Sequence, residues 1–345
     1  MAQRIGLAIA LVAVLAASAA AADIRVPDTA GLYNSTLLAA DAGGHLYCFD
    51  GDVIYKLNGT SFAPILSDLT TTAGAVVDPS AFTVNAAGTL AYFATGMSGH
   101  VVEANLANGT SRELSGVRES ILDIWGNYGL AVDPVTGKLF MTNCGPVNRG
   151  LYLVDPTGDG LLTKLKDFYT LAVTGSGLTF TPDGKLIAPI VKTYANYPTD
   201  DNFPADIYAF SHSFVDGAAT GVVPPDTSQI IASNITVTGT GGVAADKHGN
   251  VYLVALDGIY KVDPSGAVSV VEGDPSLINV FDPDVSGTGY MGLAYDQVTD
   301  QVFYAYRATT DDNWLLGSFN AAPEPATLAL LAGGAALAWL RRRKR

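Results

Sequence analysis

Along the middle of the chain, apolar runs of four or five residues alternate with polar turns, and one arrangement recurs six times. An apolar run closes on a polar residue, a turn residue follows three or four positions later, and a second apolar run begins there. The copies are Leu-Leu-Ala-Ala-Asp at 37–41 with Gly44, Ala-Phe-Thr-Val-Asn at 81–85 with Gly88, and Gly-Leu-Ala-Val-Asp at 129–133 with Gly137. Then come Gly-Leu-Thr-Phe-Thr at 177–181 with Gly184, Gly-Val-Ala-Ala-Asp at 242–246 with Gly249, and Gly-Leu-Ala-Tyr-Asp at 292–296 with Asp300. Such runs joined through glycine turns predict β-hairpins. A looser signature follows the first: Tyr55 to Gly59, Tyr152 to Gly158 and Tyr260 to Gly266 each alternate before a Gly turn, and Tyr208 to Phe210 is a degenerate copy. This predicts a third strand and a hairpin into a fourth, so each copy reads as a four-stranded meander.

The turn positions 44, 88, 137, 184, 249 and 300 lie 44, 49, 47, 65 and 51 residues apart, and the 300 residues from Asp23 to Ala322 divide by that period almost six times. Six four-stranded units of equal length repeat radially to hide their sheet edges. The expected fold is therefore all-β, a six-bladed β-propeller over 23–320, with inner strands starting near Leu37, Ala81, Gly129, Gly177, Gly242 and Gly292. Blade five is the cleanest copy and blade two the least regular. The longest interval carries 193–206, with Pro198, Asp200, Asp201 and Pro204, and is expected as a surface loop of blade four. The pattern resembles six-bladed propellers of the NHL and SMP-30 class over nearly the whole of this span.

Both ends differ in composition from the middle. Residues 1–22 carry Arg4, an apolar run over 5–17, then Ser18 and four alanines, the n-region, h-region and small-residue cleavage site of a secretory signal. Cleavage is expected between Ala20 and Ala22. At the other end Pro323, Glu324 and Pro325 precede fifteen uncharged residues at 326–340, with Gly333 and Gly334 among alanines, and then Arg341, Arg342, Arg343, Lys344 and Arg345. As a helix that run is about 22 Å long, short of about 30 Å of hydrocarbon, which is ambiguous on length alone; with the cations that follow it, it is expected as a short transmembrane helix over 326–340. The cations hold the terminus on the cytoplasmic side, and the glycine pair offers a close-approach face to another helix.

The triplet, short apolar helix and basic tail of 321–345 closely resemble the PEP-CTERM sorting signal of Gram-negative bacteria. The resemblance implies that exosortase, a membrane transpeptidase-like protease, recognises the triplet, cleaves near it and releases the protein to the cell surface or extracellular matrix. It also implies an exopolysaccharide-producing host, a transient inner-membrane anchor with the ectodomain in the periplasm, and exopolysaccharide or other surface proteins as partners. It carries no information on what the propeller binds.

The chain has 19 Lys and Arg against 33 Asp and Glu, but six of its cations lie in the two end segments, leaving 13 against 32 between Asp23 and Ala322. An ectodomain near −19 repels phosphate backbones and excludes a nucleic-acid partner. The two cysteines, Cys48 and Cys144, fall on second strands of blades one and three, which are not neighbours, so both are expected as thiols.

Candidate chemistry is sparse. Asp41, Asp133, Asp246 and Asp296 recur just after the inner strand, with Asn85 and Thr181 in the other copies. Such residues cap their own turns as Asx turns, or, if several line one channel mouth, hold Ca²⁺. Asp155 and Asp159 stand at the first and fifth positions of a Ca²⁺-like loop with Gly160 sixth, but Thr157 and Lys166 occupy ligand positions, which favours a solvated turn. The four histidines, His45, His100, His212 and His248, fall in different repeats without ligand spacing, and no nucleophile elbow is present. The SMP-30 resemblance implies a Glu, Asn and Asp metal set for lactone hydrolysis; the span holds only Glu103, Glu113, Glu119 and Glu272, none at an inner-strand start. Of the four Asn-x-Ser/Thr triplets, those at Asn58 and Asn108 precede glycine and read as hairpin turns. Three functions follow: a non-catalytic surface protein whose propeller is a binding platform for glycan, protein or ion; a metal-dependent lactonase or hydrolase; and a structural matrix component.

Overall fold

The computed structural model describes residues 24–27, 37–71, 74–75, 79–95, 100–114, 127–143, 150–157, 160–167, 177–191, 203–219, 228–237, 242–255, 258–272, 289–307 and 313–321. The expected signal peptide, Cys144, and the sorting triplet, apolar run and basic tail lie outside them.

Blade 1 is an antiparallel meander of β1 (Leu37–Ala40), β2 (Leu46–Asp50), β3 (Val53–Asn58) and β4 (Ser61–Leu66), followed by a short ribbon of β5 (Thr70–Thr71) and β6 (Gly74–Ala75). Blade 2 comprises β7 (Pro79–Val84), β8 (Leu90–Thr95), β9 (Val101–Asn105) and β10 (Thr110–Glu113), and blade 3 comprises β11 (Asn127–Val132), β12 (Leu139–Asn143), β13 (Gly150–Asp155) and β14 (Leu161–Lys166). Blade 4 has β15 (Thr179–Phe180), β16 (Leu186–Val191), β17 (Phe203–Phe210) and β18 (Gln229–Val237), with helix α1 (His212–Ala219) between the last two. Blade 5 has β19 (Val243–Ala245), β20 (Val251–Ala255), β21 (Gly258–Val262) and β22 (Val268–Glu272); the pair Val237 and Ala255 joins its sheet to that of blade 4. Blade 6 has β23 (Gly289–Asp296), β24 (Gln301–Arg307) and β25 (Leu315–Asn320). All six inner strands start within three residues of the expected positions, and the six-bladed, four-stranded propeller stands.

Two features depart from the repeat. Blade 6 takes its fourth strand from the opposite end of the chain: Arg25 bridges Leu315, the Val26 amide donates to the Trp314 carbonyl at 2.9 Å, and the Leu316 amide donates to Ile24 at 2.9 Å. In blade 4, residues 203–206 belong to β17 and not to a surface loop, because Ala205 and Ile207 pack inward and Asp206 is buried with them. The additional length of that blade lies partly in α1.

The packing follows from strand parity. On β2, Tyr47 and Phe49 face blade 2 while Leu46 and Cys48 face blade 6; on β20, Val251 and Leu253 face blade 4 while Tyr252 and Val254 face blade 6. Successive side chains of a strand point to opposite faces, so a strand buried on both sides is apolar throughout, as the burial of every β2 residue shows. The apolar residues fall into six clusters, one at each junction between neighbouring blades, and the sixth, containing Val26, Leu38, Cys48, Ala305 and Trp314, returns from blade 6 to blade 1. At the junction of blades 1 and 2, the rings of Phe49 and Phe93 lie 4.4 Å apart between centroids. Each such buried side chain contributes about 1.5–3 kcal/mol. Around the axis, inner strands approach so closely that a Cβ on Gly242 would lie 2.3 Å from the Leu293 amide nitrogen, which accounts for the glycine opening that copy of the repeat.

Trp314 is 1% exposed and lies under the Arg307 guanidinium, 5.0 Å from it. Trp314→Ala should therefore cost about 3–5 kcal/mol in denaturant unfolding, whereas Ile65→Ala on the exposed edge of blade 1 should stay within about 0.5 kcal/mol.

Candidate functional site

In a four-stranded meander the first and third turns emerge on the same side, so the six turns after the inner strands form one face around the axis. Each contains one residue in the left-handed region: Gly44, Gly88, Gly137, Gly184 and Gly249 have φ between 65° and 83°, and Asp300, the sixth, has φ 58°. Asp tolerates this left-handed conformation better than most residues, and Asp300 also bridges blades. Its carboxylate accepts from Tyr295 at 2.8 Å and His248 Nε2 at 3.0 Å, with Lys247 Nζ at 3.3 Å.

The acidic residues preceding these turns cap them. Asp41 Oδ1 accepts from the amides of Gly43 at 2.8 Å and His45 at 3.0 Å, and Oδ2 accepts from the Tyr47 hydroxyl at 2.9 Å and meets His45 Nδ1 at 2.8 Å. Asp246 is held alike by the His248 and Asn250 amides, the Asn250 side chain and the Tyr252 hydroxyl at 2.8 Å. Asp133 and Asp296 use a second arrangement. One oxygen takes the amide two residues on, from Val135 or Val298, and the other takes a turn hydroxyl, Thr136 or Thr299. Thus a turn with Tyr on the next strand uses the phenol, and a turn one residue longer, followed by Phe140 or Phe303, supplies threonine. Asn85 caps the second turn through the Thr89 and Leu90 amides, and the Thr181 hydroxyl accepts from the Lys185 amide in the fourth.

These caps also lock blades together. A Cβ on Gly88 would lie 2.3 Å from Asp41 Oδ2 in blade 1, the Ala42 amide donates to the Ala86 carbonyl at 3.0 Å, and the Gln297 side chain donates to the Ala42 carbonyl at 2.9 Å. Burial pushes the Asp41 carboxyl upward, but its His45 and Tyr47 hydrogen bonds outweigh that and hold it below the usual carboxylate range. Burial and the neighbouring Asp41 or Asp246 carboxylate raise Tyr47 and Tyr252, so both stay protonated donors.

The inner strands enclose a central cavity of about 210 Å³, with Leu38, Phe82, Leu130, Leu178, Val243 and Leu293 at equivalent positions of its wall. Among the described residues lining it, Asp41 is the one carboxylate, and no imidazole, amine, guanidinium or thiol is present. Glu103 lies outside this wall and accepts from Tyr92 at 2.9 Å and Arg112 at 2.8 Å, while Glu113 pairs with His100 at 2.6 Å. In the loop read as Ca²⁺-like, Asp155 accepts the Thr157 amide at 2.9 Å and hydroxyl at 2.7 Å, which lowers its pKa; Asp159 lies outside the described residues. Gly59 and Gly109 have φ 65° and 72°, as the Asn-Gly hairpins require.

Asp41, Asp246 and Asp296 thus sit in separate turns and do not share a cation site among the described residues. Among the described residues Asp41 has only His45 beside it, whereas Asp133 alone of the four falls in a group of three possible ligands, with His212 and Asp216. That pair was missed because its four-residue spacing places both side chains on one face only in a helix, and the strand repeat gives no sign of α1.

Residues 321–344 match the family described as the PEP-CTERM protein-sorting motif, beginning where β25 ends, with the Ala321 amide donating to the Asp300 carbonyl at 2.9 Å. The chain carries a PEP-CTERM sorting motif. This motif implies export, membrane-anchored sorting and exosortase as the processing partner, and among the described residues no helix is long and apolar enough to cross a membrane. No curated protein sequence matches the chain. Solved structures similar to this chain include a gluconolactonase of Xanthomonas campestris, at 17% identity and TM-score 0.57 over 88% of this chain and 93% of that one. They also include the calcium-binding protein regucalcin of Agrobacterium tumefaciens, at 14% identity and TM-score 0.51 over 86% and 93%. At such identities the likeness is one of fold, that of the gluconolactonase and SMP-30-like propellers.

Two outcomes follow for the caps. Tyr47→Phe and Tyr252→Phe should each cost about 1–3 kcal/mol in urea unfolding, because a buried carboxylate oxygen loses a donor, while Val135→Ala, exposed in its turn, should stay within about 0.5 kcal/mol. The Asp41 pKa is depressed in the folded state, so its stabilisation is full above the unfolded value of about 3.9 and is lost as pH falls through the lower folded value. Acid unfolding of Asp41→Asn, followed by circular dichroism below about pH 5, should be less steep than that of the parent protein.

Proposed function

We propose that the protein is an exported surface or matrix component, sorted through exosortase, whose propeller is a non-catalytic binding platform for a glycan or protein ligand. The observation supporting the platform over an enzyme is the composition of the central cavity. Its described wall adds only threonine and tyrosine hydroxyls and the Gln297 amide to its apolar side chains, and its one carboxylate is engaged by four donors, so among the described residues it offers no free carboxylate, imidazole, amine or thiol. The same saturation speaks against Ca²⁺ at Asp41 and Asp246, since a hard cation needs several carboxylate or carbonyl oxygens not already spent on turn amides. An exported domain with six blades locked face to face suits rigid display.

Processing is proposed near Pro325. Pro323 and Pro325 keep the residues before them extended, which a protease groove accepts, and the cations at 341–345 hold the tail on the cytoplasmic side. Mass spectrometry of protein released from the native host should find a C-terminus near Pro325 without Arg341 to Arg345. Replacing Arg341, Arg342 and Arg343 by Glu should leave the precursor unprocessed, and an intact basic end on most released molecules would overturn the sorting reading. For the platform, the full-length protein should show no EDTA-sensitive hydrolysis of gluconolactone and should retain a glycan or surface protein from its own matrix. EDTA-sensitive turnover would replace this reading with the lactonase.

A further inference from the structure

Helix α1 replaces the hairpin expected between the third and fourth strands of blade 4, and it lies on the face of the capped turns. Phe214 and Val215 are buried at the junction of blades 3 and 4 with Phe140 and Phe210, which fixes the helix in rotation. The opposite side of its first turn carries His212 and Asp216, four residues apart and so on one face. They meet Asp133, fully buried in the first turn of blade 3, and one ligand atom from each of the three residues lies within 4.8 Å of the other two.

The His212 ring is held in place. A Cβ at Gly184 would lie 2.2 Å from its Cδ2, so the fourth-blade turn leaves room for the imidazole because its turn residue is glycine. Neither ring nitrogen is spent on a short hydrogen bond: Nδ1 stands 3.3 Å from Asp216 Oδ2, and Nε2 is buried with no hydrogen-bond partner. Nδ1, the nitrogen facing Asp216, is therefore the one open to a metal from this side. The separation of 3.3 Å also matches the distance of about 3.4 Å between two ligands bound about 2.0–2.1 Å from a tetrahedral ion. Asp133 accepts one amide and one hydroxyl, which leaves lone pairs on its carboxylate.

We propose that Asp133, His212 and Asp216 bind a divalent transition metal of the zinc type and tie blade 3 to blade 4. One imidazole nitrogen and two carboxylates form the mixed N/O donor set that Zn²⁺ accepts, whereas Ca²⁺ requires six to eight oxygens. His212 and Asp216 are 37% and 50% exposed, so solvent reaches the open side and completes the coordination. The site lies off the central cavity wall and is independent of the sorting and platform readings.

The test titrates Zn²⁺, and separately Ca²⁺, into the full-length chain in detergent after stripping with EDTA, by calorimetry and by thermal melting. One Zn²⁺ should bind per chain and raise the melting temperature saturably, with Ca²⁺ far weaker. His212→Gln and Asp216→Asn should weaken Zn²⁺ binding by about 100-fold or more and abolish the melting shift, while Asp183→Asn, a nearby carboxylate outside the cluster, should retain both. Since either variant could loosen α1, a second readout uses the unmodified protein: Co²⁺ should give the visible absorption of a low-symmetry nitrogen and oxygen site, displaced by Zn²⁺. No Zn²⁺ binding, equal binding by His212→Gln, equal affinity for Ca²⁺, or a featureless Co²⁺ spectrum would each overturn the assignment.

Discussion

The whole structure depends on the burial of both faces of every blade against two neighbours. A single four-stranded sheet of this composition has two apolar sides and covers neither by itself, since Phe49 on one side of β2 and Cys48 on the other are both fully buried. Because each face is half of a junction, a blade lost anywhere would expose two faces, and the ring is stable only when closed. The apolar second strands follow from this, as do the glycines where inner strands touch. So does the junction of blades 6 and 1, where Val26 and Trp314 from distant parts of the chain complete the same pattern.

On the face of the turns a different economy operates. Buried carboxylates are tolerated there because each accepts donors from its own turn, and the turn's length decides which donors those are. Asp41 and Asp246 lean on a tyrosine from the next strand, and Asp133 and Asp296 on a threonine within the loop. Asp300 gives up the conformational ease of glycine and in exchange reaches Lys247 and His248 across a blade boundary. The acidic recurrence is therefore structural at three of its four aspartates, and Asp133 differs through the helix placed against it.

Much of this was legible in the residues. The six copies marked every inner strand, since apolar run, polar cap and left-handed turn are local requirements that the chain meets locally. Blade 2, the least regular copy, folds as the others do, because Phe82, Ala91 and Val102 keep the parity that its motif obscures. The strand around Arg25 was not legible: three residues carry no periodicity, and their role exists only through pairing with Leu315. Helix α1 was hidden for a related reason. Its eight residues are too few for a helical pattern to stand out, and packing of Phe214 and Val215 against blade 3 stabilises it.

Joining Arg25 to Leu315 also has a kinetic side. The paired residues stand 290 positions apart, so the closing contact has nearly the largest sequence separation available to the described chain. Contacts of that kind form late, since loop-closure entropy must be met before they reward it. A nascent chain that lacks Trp314 and β25 therefore holds five complete blades and an unfinished sixth, with Val26 and Leu46 still awaiting Trp314 at the seam. Until the last strand arrives, that seam is the surface on which a folding chaperone, or an unwanted second chain, would land.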